Sequence, residues 1–351
     1  MNSDQIFLLS CRLREAPVLA RETRELLRQL ASTRDYVDWQ GSARQGCPFE
    51  LPAEFRAGAL ARLGLVQDGR LRVRVNLLAG GVFVTDGVWV DPAYRVFPFS
   101  DESEMLVAEA RARGWAESAD VVYDLAGGCG HAALSFAAER NVLLDINPRA
   151  LAYAELNKLL NARPPQRYPC GLNDIRTGLD APQAGDAARG VLLVSNMPFA
   201  PAPSRADLPL TSNGGASGLD LQRWACRAIR AVRERVARHV PVRALLMGMT
   251  LGDAAADRWE LAALAADELG EASVRWHVLA SQTLLRLDGR RAMANPSPVA
   301  EALPVIAGCT LYNPEPAQRA ERRAAFTALA RWHAERGAPD MAFGIVAVEM
   351  N

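Results

Sequence analysis

The sequence predicts an α/β protein built on a doubly wound, seven-stranded, mostly parallel sheet, with a small α+β domain ahead of it. Three observations predict this. After Asp120 short apolar runs alternate with helical patterns; a glycine-rich turn, Asp124-Leu-Ala-Gly-Gly-Cys-Gly-His131, joins the first run to a helix; and the second run ends on a carboxylate, Asp145. Short apolar strands separated by helices are buried on both faces, as in a parallel sheet covered by helices. Sheets of this kind hold ligands beyond the carboxyl ends of their strands.

Taken in order, apolar residues from Asp4 to about Ala31 recur at Leu8, Cys11, Val18, Leu19, Leu26, Leu27 and Leu30, giving two amphipathic helices divided at Pro17. A further helical piece is expected from about Pro52 to Leu65. Leu71 to Leu78 then begins with strict alternation, Gly80-Gly81 turns, and Val82 to Val90 answers it as a hairpin. Residues 1–93 are therefore expected to form the accessory domain and 94–351 the main one. Arg95 to Gly114 reads as a proline-bearing entry into a helix, with Ser100 or Asp101 as its cap.

Beyond Asp120, strands are expected at 121–125, 141–146, 166–170, 190–195, 243–250, 273–280 and 342–349. Helices are expected at about 130–140, 148–161, 219–238, 254–269 and 316–336. Residues 281–341 are far longer than a hairpin connection requires, and are expected as an insertion carrying Tyr312, Trp332 and several arginines over the substrate side.

Composition narrows the function. Lys plus Arg and Asp plus Glu both total 40, so no global charge draws the chain to nucleic acid or an acidic membrane. The six cysteines are scattered without CxxC or Cys/His spacing, which points to reduced thiols and against a disulfide frame or a metal site. The apolar run Ile6 to Leu9 is too short for a secretory signal, and no segment approaches a membrane span. A cytoplasmic protein with no metal is expected.

The glycine-rich turn carries the first chemistry. Small residues at Ala126, Gly127, Gly128 and Gly130 let the backbone approach a ligand, and the N–H groups of the following helix attract polar atoms. Asp145 stands where a carboxylate accepts hydrogen bonds from ribose hydroxyls, so the arrangement points to a nucleoside. A dinucleotide site would show GxGxxG, whereas Gly128-Cys-Gly130-His-Ala-Ala133 offsets the third position. Asp124 also suits a positively charged group better than a pyrophosphate. A βα turn without a ligand is the plain alternative. Asn173-Asp174, after the third strand, could meet an adenine amino group or form an ordinary Asx turn.

The second chemistry lies at Ser195-Asn-Met-Pro-Phe199, where a buried strand stops at an amide, a rigid turn and a ring. The Asn196 side-chain oxygen and the Met197 carbonyl can accept both hydrogens of an –NH₂ group. Pro198 fixes the turn, and Phe199 can stack on a planar substrate. A nitrogen held in this way is oriented for attack, and orientation is the largest part of such a transfer.

The Asp-x-Ala-x-Gly-x-Gly turn resembles motif I of class I S-adenosylmethionine-dependent methyltransferases, with Ala126 where glycine is usual. Asn196-Met-Pro-Phe199 resembles the Asn-Pro-Pro-Tyr/Phe motif of amino-methyltransferases. Ser212 to Trp224 resembles the GG-x-DGLD-x-x-R segment of the HemK/PrmC type, and Glu102 to Val107 resembles that group's E-T-E-x-L-V helix start. The resemblance covers roughly residues 95–250 in the same order. Its departures are Met197 for the first proline, Ser100-Asp101 for Arg-Pro, Ser217 for the Asp of DGLD, and Gly248-Met-Thr without the expected Glu.

The resemblance implies a Rossmann-like fold and S-adenosylmethionine held by Asp124, Ala126, Gly127, Gly128, Gly130, Asp145, Ile146, Asn173, Asp174 and Asn196. It implies an acceptor nitrogen handled by Asn196, Met197, Pro198 and Phe199. N-methylation of an amino, amide or guanidino nitrogen on a small molecule or amino acid follows. A release-factor glutamine or ribosomal RNA acceptor is the alternative, and a regulator that binds the cofactor without turnover is a third. His239, His277 and His333 receive no chemistry; His131 either touches the cofactor or packs at the helix start, and Cys129 is read as lining the turn.

Overall fold

The computed structural model describes residues 1–40, 47–78, 80–91, 93–97, 101–179, 189–203, 208, 211–270, 273–278, 294–307 and 316–350. Ser100, Tyr312 and much of 281–315 lie outside the described residues. From Val121 onward the chain alternates through β1 (Val121–Asp124), α1 (His131–Ser135), β2 (Arg140–Asp145), α2 (Pro148–Leu160), β3 (Cys170–Leu172) and β4 (Val191–Ser195). It continues through α3 (Asp220–Arg235), β5 (Val242–Asp253), α4 (Glu260–Leu269), β6 (Ser273–Val278), α5 (Pro316–Ala334) and β7 (Asp340–Met350). The order is that of a mixed α/β protein. The chain divides into two units, one of Met1–Glu109 with Ala126–Leu172, the other of Ala110–Leu125 with Asn173–Asn351.

In the first unit, Asn2 and Gln5 form a capping box that starts helix Ser3–Glu15. Pro17 then opens helix Pro17–Ala31, where its missing N–H costs nothing. Their apolar faces bury Ile6, Leu9, Leu13, Leu27 and Leu30 in a core shared with Tyr153, Leu156 and Leu160 of α2. The hairpin pairs Arg74–Leu78 with Gly81–Thr85 in antiparallel register. Strand β2 pairs β3 in parallel, Leu143 opposite Cys170. The expected helix at 52–65 is instead a 3₁₀ turn, Ala53–Phe55, and a short helix, Ala59–Arg62, interrupted at Gly58.

Helix α2 reads the edge of the hairpin with a stripe of polar side chains four residues apart. Asn161, its cap residue, accepts from Val82 N at 2.9 Å and donates to Val82 O at 2.7 Å. Asn157 accepts from Val84 N at 2.8 Å and donates to Val84 O at 3.0 Å. Tyr153 donates its hydroxyl to Asp86 at 2.8 Å, and Arg149 donates to both oxygens of Asp86 at 2.7 and 2.5 Å. Side chains four apart share one helix face and backbone groups two apart share one strand edge, so the stripe satisfies an edge that would otherwise lie open. Asp86 also accepts from Val96 N at 2.8 Å, which turns the chain inward and ends the second hairpin strand at Thr85 rather than near Val90.

Helix α1 is shorter than the alanine-rich sequence predicts, stopping at Ser135. The next carbonyls find other donors: Tyr168 Oη donates to Phe136 O at 2.9 Å, the Arg167 guanidinium to Ala137 O and Ala138 O, and Asn141 Nδ2 to Ala138 O at 3.1 Å. Side chains thus satisfy a backbone that leaves the helix early. Arg167 and Tyr168 sit in the connection before β3, so that strand begins at Cys170, later than expected.

In the second unit the strand order is β6-β7-β5-β4-β1. Strand β4 runs parallel to β1 on one side and to β5 on the other. Strand β7 is antiparallel to β5 from Asp340 opposite Gly252 to Met350 opposite Val242, and β6 is antiparallel to β7. Residues Val191 to Val194 and Ala244 to Met247 are buried without alternation, as strands covered on both faces must be. Helix α4 begins at Glu260 rather than 254. Arg258–Trp259 first folds back on β5, and Thr250 Oγ1 then accepts the Leu261 N–H at 2.8 Å as a cap from the neighbouring strand.

Candidate functional site

The first unit carries the glycine-rich turn. Gly127 lies against β2: its N–H donates to Leu144 O at 2.9 Å, and a Cβ there would come within 2.3 Å of Leu143 Cγ. Only glycine allows that approach. Gly128 is left-handed at φ +53 and donates its N–H to Asp145 Oδ2 at 2.8 Å, while nothing lies within 4 Å of where its Cβ would point. The turn is thus anchored on its inner side and open on its outer side. Gly130 N donates to Gly127 O at 2.8 Å and leads into α1, and Ala126 is half-buried at the start of the turn.

Asp145 also accepts from Asn147 N at 2.8 Å. The residue keeps some accessibility, yet its carboxyl group is enclosed, and desolvation raises its pKa above the ordinary aspartate value against the pull of the Asn147, Gly128 and Ile146 amides. Ile146, the next residue, leaves its apolar side chain 44% exposed. Gly127, Gly128 and Gly130 thus spend their N–H groups on Leu144 O, Asp145 and Gly127 O, and the turn and the acid at the end of β2 are tied together beside the exposed Ile146. Sequence reasoning missed Asn157, whose Nδ2 donates to Cys129 O at 2.8 Å in the same turn. Its signal was the four-residue spacing of Arg149, Tyr153, Asn157 and Asn161.

In the second unit, buried Asp124 ends β1 opposite Val194 of β4, two residues before Asn196. Asp124 and the Asn196 turn are thereby brought to neighbouring strand ends. Asn173 donates to Gly178 O at 3.1 Å, and its Oδ1 is buried without a hydrogen-bond partner. Asp174 caps the 3₁₀ turn Ile175–Thr177 and holds the Arg176 guanidinium at 2.6–3.1 Å. That arginine lowers its pKa and occupies its carboxylate.

The turn after β4 is held from outside. Met197 is buried, and Asn196, Pro198 and Phe199 are half-buried. The segment Ser212–Asp220 lies along it: Ala200 N donates to Ser212 O at 2.8 Å, Gly214 N to Ala200 O at 2.9 Å and Ala202 N to Gly215 O at 2.9 Å. A Cβ on Gly214 would meet Phe199 C at 2.8 Å, and one on Gly218 would meet Phe199 O at 2.4 Å. The glycines of this segment let it pack on the main chain of the turn. The Phe199 ring lies 5.3 Å from that of Phe343 on β7, tilted by 52°. Gly248 of β5 faces Phe199, and buried Gln222 of α3 donates to Met247 O at 2.8 Å. Ser195 Oγ and Gln222 Oε1 are buried without hydrogen-bond partners.

His333 of α5 is buried and places Nε2 3.0 Å from Ala216 O in the same segment. Burial lowers its pKa, with the Arg336 charge adding to the effect, so the neutral ring donates this bond. Nothing in the sequence announced this contact. His131 is buried with Phe83 edge-on at 4.8 Å, in keeping with a packing role. Among the described residues no group of three His, Cys, Asp or Glu side chains could hold a metal, and no helix is long and apolar enough to cross a membrane.

No family model matches the chain, and no curated protein matches it. Solved structures do. The tRNA m1G37 methyltransferase of M. jannaschii is 17% identical, over 60% of this chain and 52% of that one, with a TM-score of 0.37. The [4+2]-cyclase SpnF is 16% identical over 71% and 80%, at 0.39. Coclaurine N-methyltransferase, bound to N-methylheliamine and SAH, is 12% identical over 70% of each chain, at 0.37. The chain spans about half the length of the tRNA methyltransferases it matches.

Proposed function

We propose that this chain is a class I S-adenosylmethionine-dependent N-methyltransferase with a doubly wound, Rossmann-like sheet. The observation that carries the reading is the Gly128 N–H to Asp145 Oδ2 bond beneath an unobstructed loop face. That bond aims a nucleoside-binding carboxylate and leaves the turn open to a ligand. In this reading Asp145 holds the ribose hydroxyls and Ile146 covers one face of the adenine. Asn173, with its free Oδ1, meets the adenine amino group, and Asp174 shapes that loop through Arg176. Asp124 and the Ala126–Gly130 turn hold the methionine part.

The cofactor supplies an electrophilic methyl on a sulfonium; the chain's own residues supply position. Asn196 and the Met197 carbonyl accept the two hydrogens of the acceptor nitrogen, Pro198 keeps the turn rigid, and Phe199, backed by Phe343, stacks on the acceptor. The nitrogen lone pair stays free for the methyl, and the proton leaves after transfer. Residues 94–351 are read as the catalytic domain and 1–93 as an accessory domain, in a cytoplasmic enzyme; the cover expected at 281–341 falls in part outside the described residues.

A small molecule or amino acid is the preferred acceptor. Positive and negative side chains are equal in number, and the tilted Phe199–Phe343 pair suits a compact planar group. Protein glutamine or ribosomal RNA is the competing acceptor. Incubation with methyl-labelled cofactor and separate protein, RNA and metabolite fractions decides between them. Label in the metabolite fraction, lost in Asn196→Ala with cofactor binding retained, is the expected result. Label in RNA or a release factor overturns the small-molecule reading, and failure to bind SAH overturns the methyltransferase reading.

A further inference from the structure

The polar stripe on α2 does more than close a strand edge. Asn161 and Asn157 make the same pair of bonds to the hairpin, each accepting an N–H and donating to a C=O of one residue, Val82 and Val84. They differ in the second amide hydrogen. Asn161 donates it within its own helix, to Asn157 O at 2.8 Å. Asn157 donates it to Cys129 O at 2.8 Å, inside the glycine-rich turn between Gly128 and Gly130. Asn157 is fully buried, as are Val84 and Tyr153, and Cys129 is nearly so. One amide therefore joins the strand Gly81–Thr85 to the carbonyl that sets the orientation of the Gly128–Gly130 peptides.

We propose that Asn157 is a positioning residue through which the N-terminal hairpin fixes the glycine-rich turn, making nucleoside binding depend on a strand more than forty positions upstream. The proposal rests on the reading of that turn as the cofactor loop. Arg149 and Tyr153 secure the other end of the same strand by holding Asp86, and Asn147, the helix cap, donates its N–H to Asp145. The hairpin thus reaches both halves of the nucleoside surface through one helix: the turn through Asn157 and the acid through the helix start. Without Asn157, Cys129 O is a buried acceptor with one donor fewer, and the turn gains freedom at Gly128–Gly130, next to the bond from Gly128 to Asp145.

Two matched variants separate positioning from stability. Asn161→Ala and Asn157→Ala each remove one accepted and one donated bond to the hairpin, at Val82 and at Val84, but only the second releases Cys129 O. Hydrogen exchange of peptides covering residues 126–131 and calorimetric titration with SAH are measured on the full chain. Asn157→Ala is expected to speed exchange in the turn and weaken SAH by about tenfold, as expected for one buried acceptor losing its donor. Asn161→Ala is expected to leave both within about twofold while lowering Tm to a similar extent. Asn157→Asp, close in size and keeping the acceptor for Val84 N, serves as the second variant should the alanine form fail to fold, with the same outcome expected. Equal effects of the two positions, or unchanged exchange in a folded Asn157 variant, overturn the proposal. If the wild type itself does not bind SAH, the methyltransferase reading fails, and the exchange experiment still decides the role of Asn157.

Discussion

Gly128 N lies 2.8 Å from Asp145 Oδ2, so the left-handed residue of the turn and the acid at the end of β2 act as one hydrogen-bonded unit. Desolvation raises the Asp145 pKa above the ordinary aspartate value, and only its ionised form accepts two ribose hydroxyls. SAH affinity should therefore fall as pH drops through the raised value, sooner than for an unperturbed aspartate. Asp145→Asn should weaken binding and flatten the profile in calorimetry. The stability sign is opposite. A carboxyl raised in the fold stabilises below its unfolded pKa, about 3.9, and that contribution is lost as pH rises through the folded value. Asn at this position turns its –NH₂ toward one of the two backbone N–H groups that the carboxylate accepts, so only the trend with pH reports the titration. The Tm of ligand-free Asp145→Asn relative to wild type should be higher at pH 7 than in acid.

Two adjacent glycines should fail in different ways. Gly127→Ala drives a methyl into Leu143, which is buried in β2, and should cost about 1–3 kcal/mol in urea unfolding. Gly128→Ala has room for its methyl, bears only the left-handed backbone strain of about 1–2 kcal/mol, and obstructs the open face. Its loss of SAH affinity should exceed its loss of stability. Equal stability and affinity losses in both variants would contradict this division.

Gly218 lies at φ +79, with its Cβ position 2.4 Å from Phe199 O. Gly218→Ala should push the Ser212–Asp220 segment off the Asn196 turn. Labelled-methyl transfer is expected to fall at least tenfold, while SAH titration stays close to wild type. A variant that transfers normally would show that the segment does not hold the turn.

His333 should make the fold acid-sensitive. Burial and Arg336 lower its pKa, so the native ring stays neutral while the unfolded one takes up a proton near pH 6.5. The contribution is full above that value and is lost as pH falls below it toward the depressed folded value. Wild type should lose Tm between pH 8 and about 5.5, and His333→Gln, which retains a donor for Ala216 O, should lose less over the same range.

The elements with a strong pattern were legible: β4 and β5 as apolar runs, and α2 as a helix expected over 148–161. The glycine turn was legible because its constraint is local, a strand that must reverse within a few residues. Helix α1 was overestimated because alanine propensity says nothing of Arg167 and Tyr168, which capture its next carbonyls from a later loop. Helix α4 began late because its cap, Thr250, belongs to the preceding strand rather than to its own first turn. Asn157 and Asp86 escaped notice for the same reason. Their partners lie some sixty to seventy positions away in sequence, so the four-residue spacing on α2 marks a polar face without saying what it meets.

The stripe on α2 also explains why its last member is an arginine. Four helical residues advance about 6 Å, whereas two strand residues advance about 6.8 Å, so the two rulers drift apart like a vernier. Asn161 meets residue 82 and Asn157 meets 84 with short amides, and Tyr153 reaches 86 with a longer ring. A strict count would send residue 149 to position 88. The drift, together with the chain's inward turn at Asp86, sends it back to the same carboxylate, which only a long, forked side chain can share with a tyrosine. The length of this helix–strand seam is thus set by arithmetic between two periodicities, and Asp86 marks where it runs out.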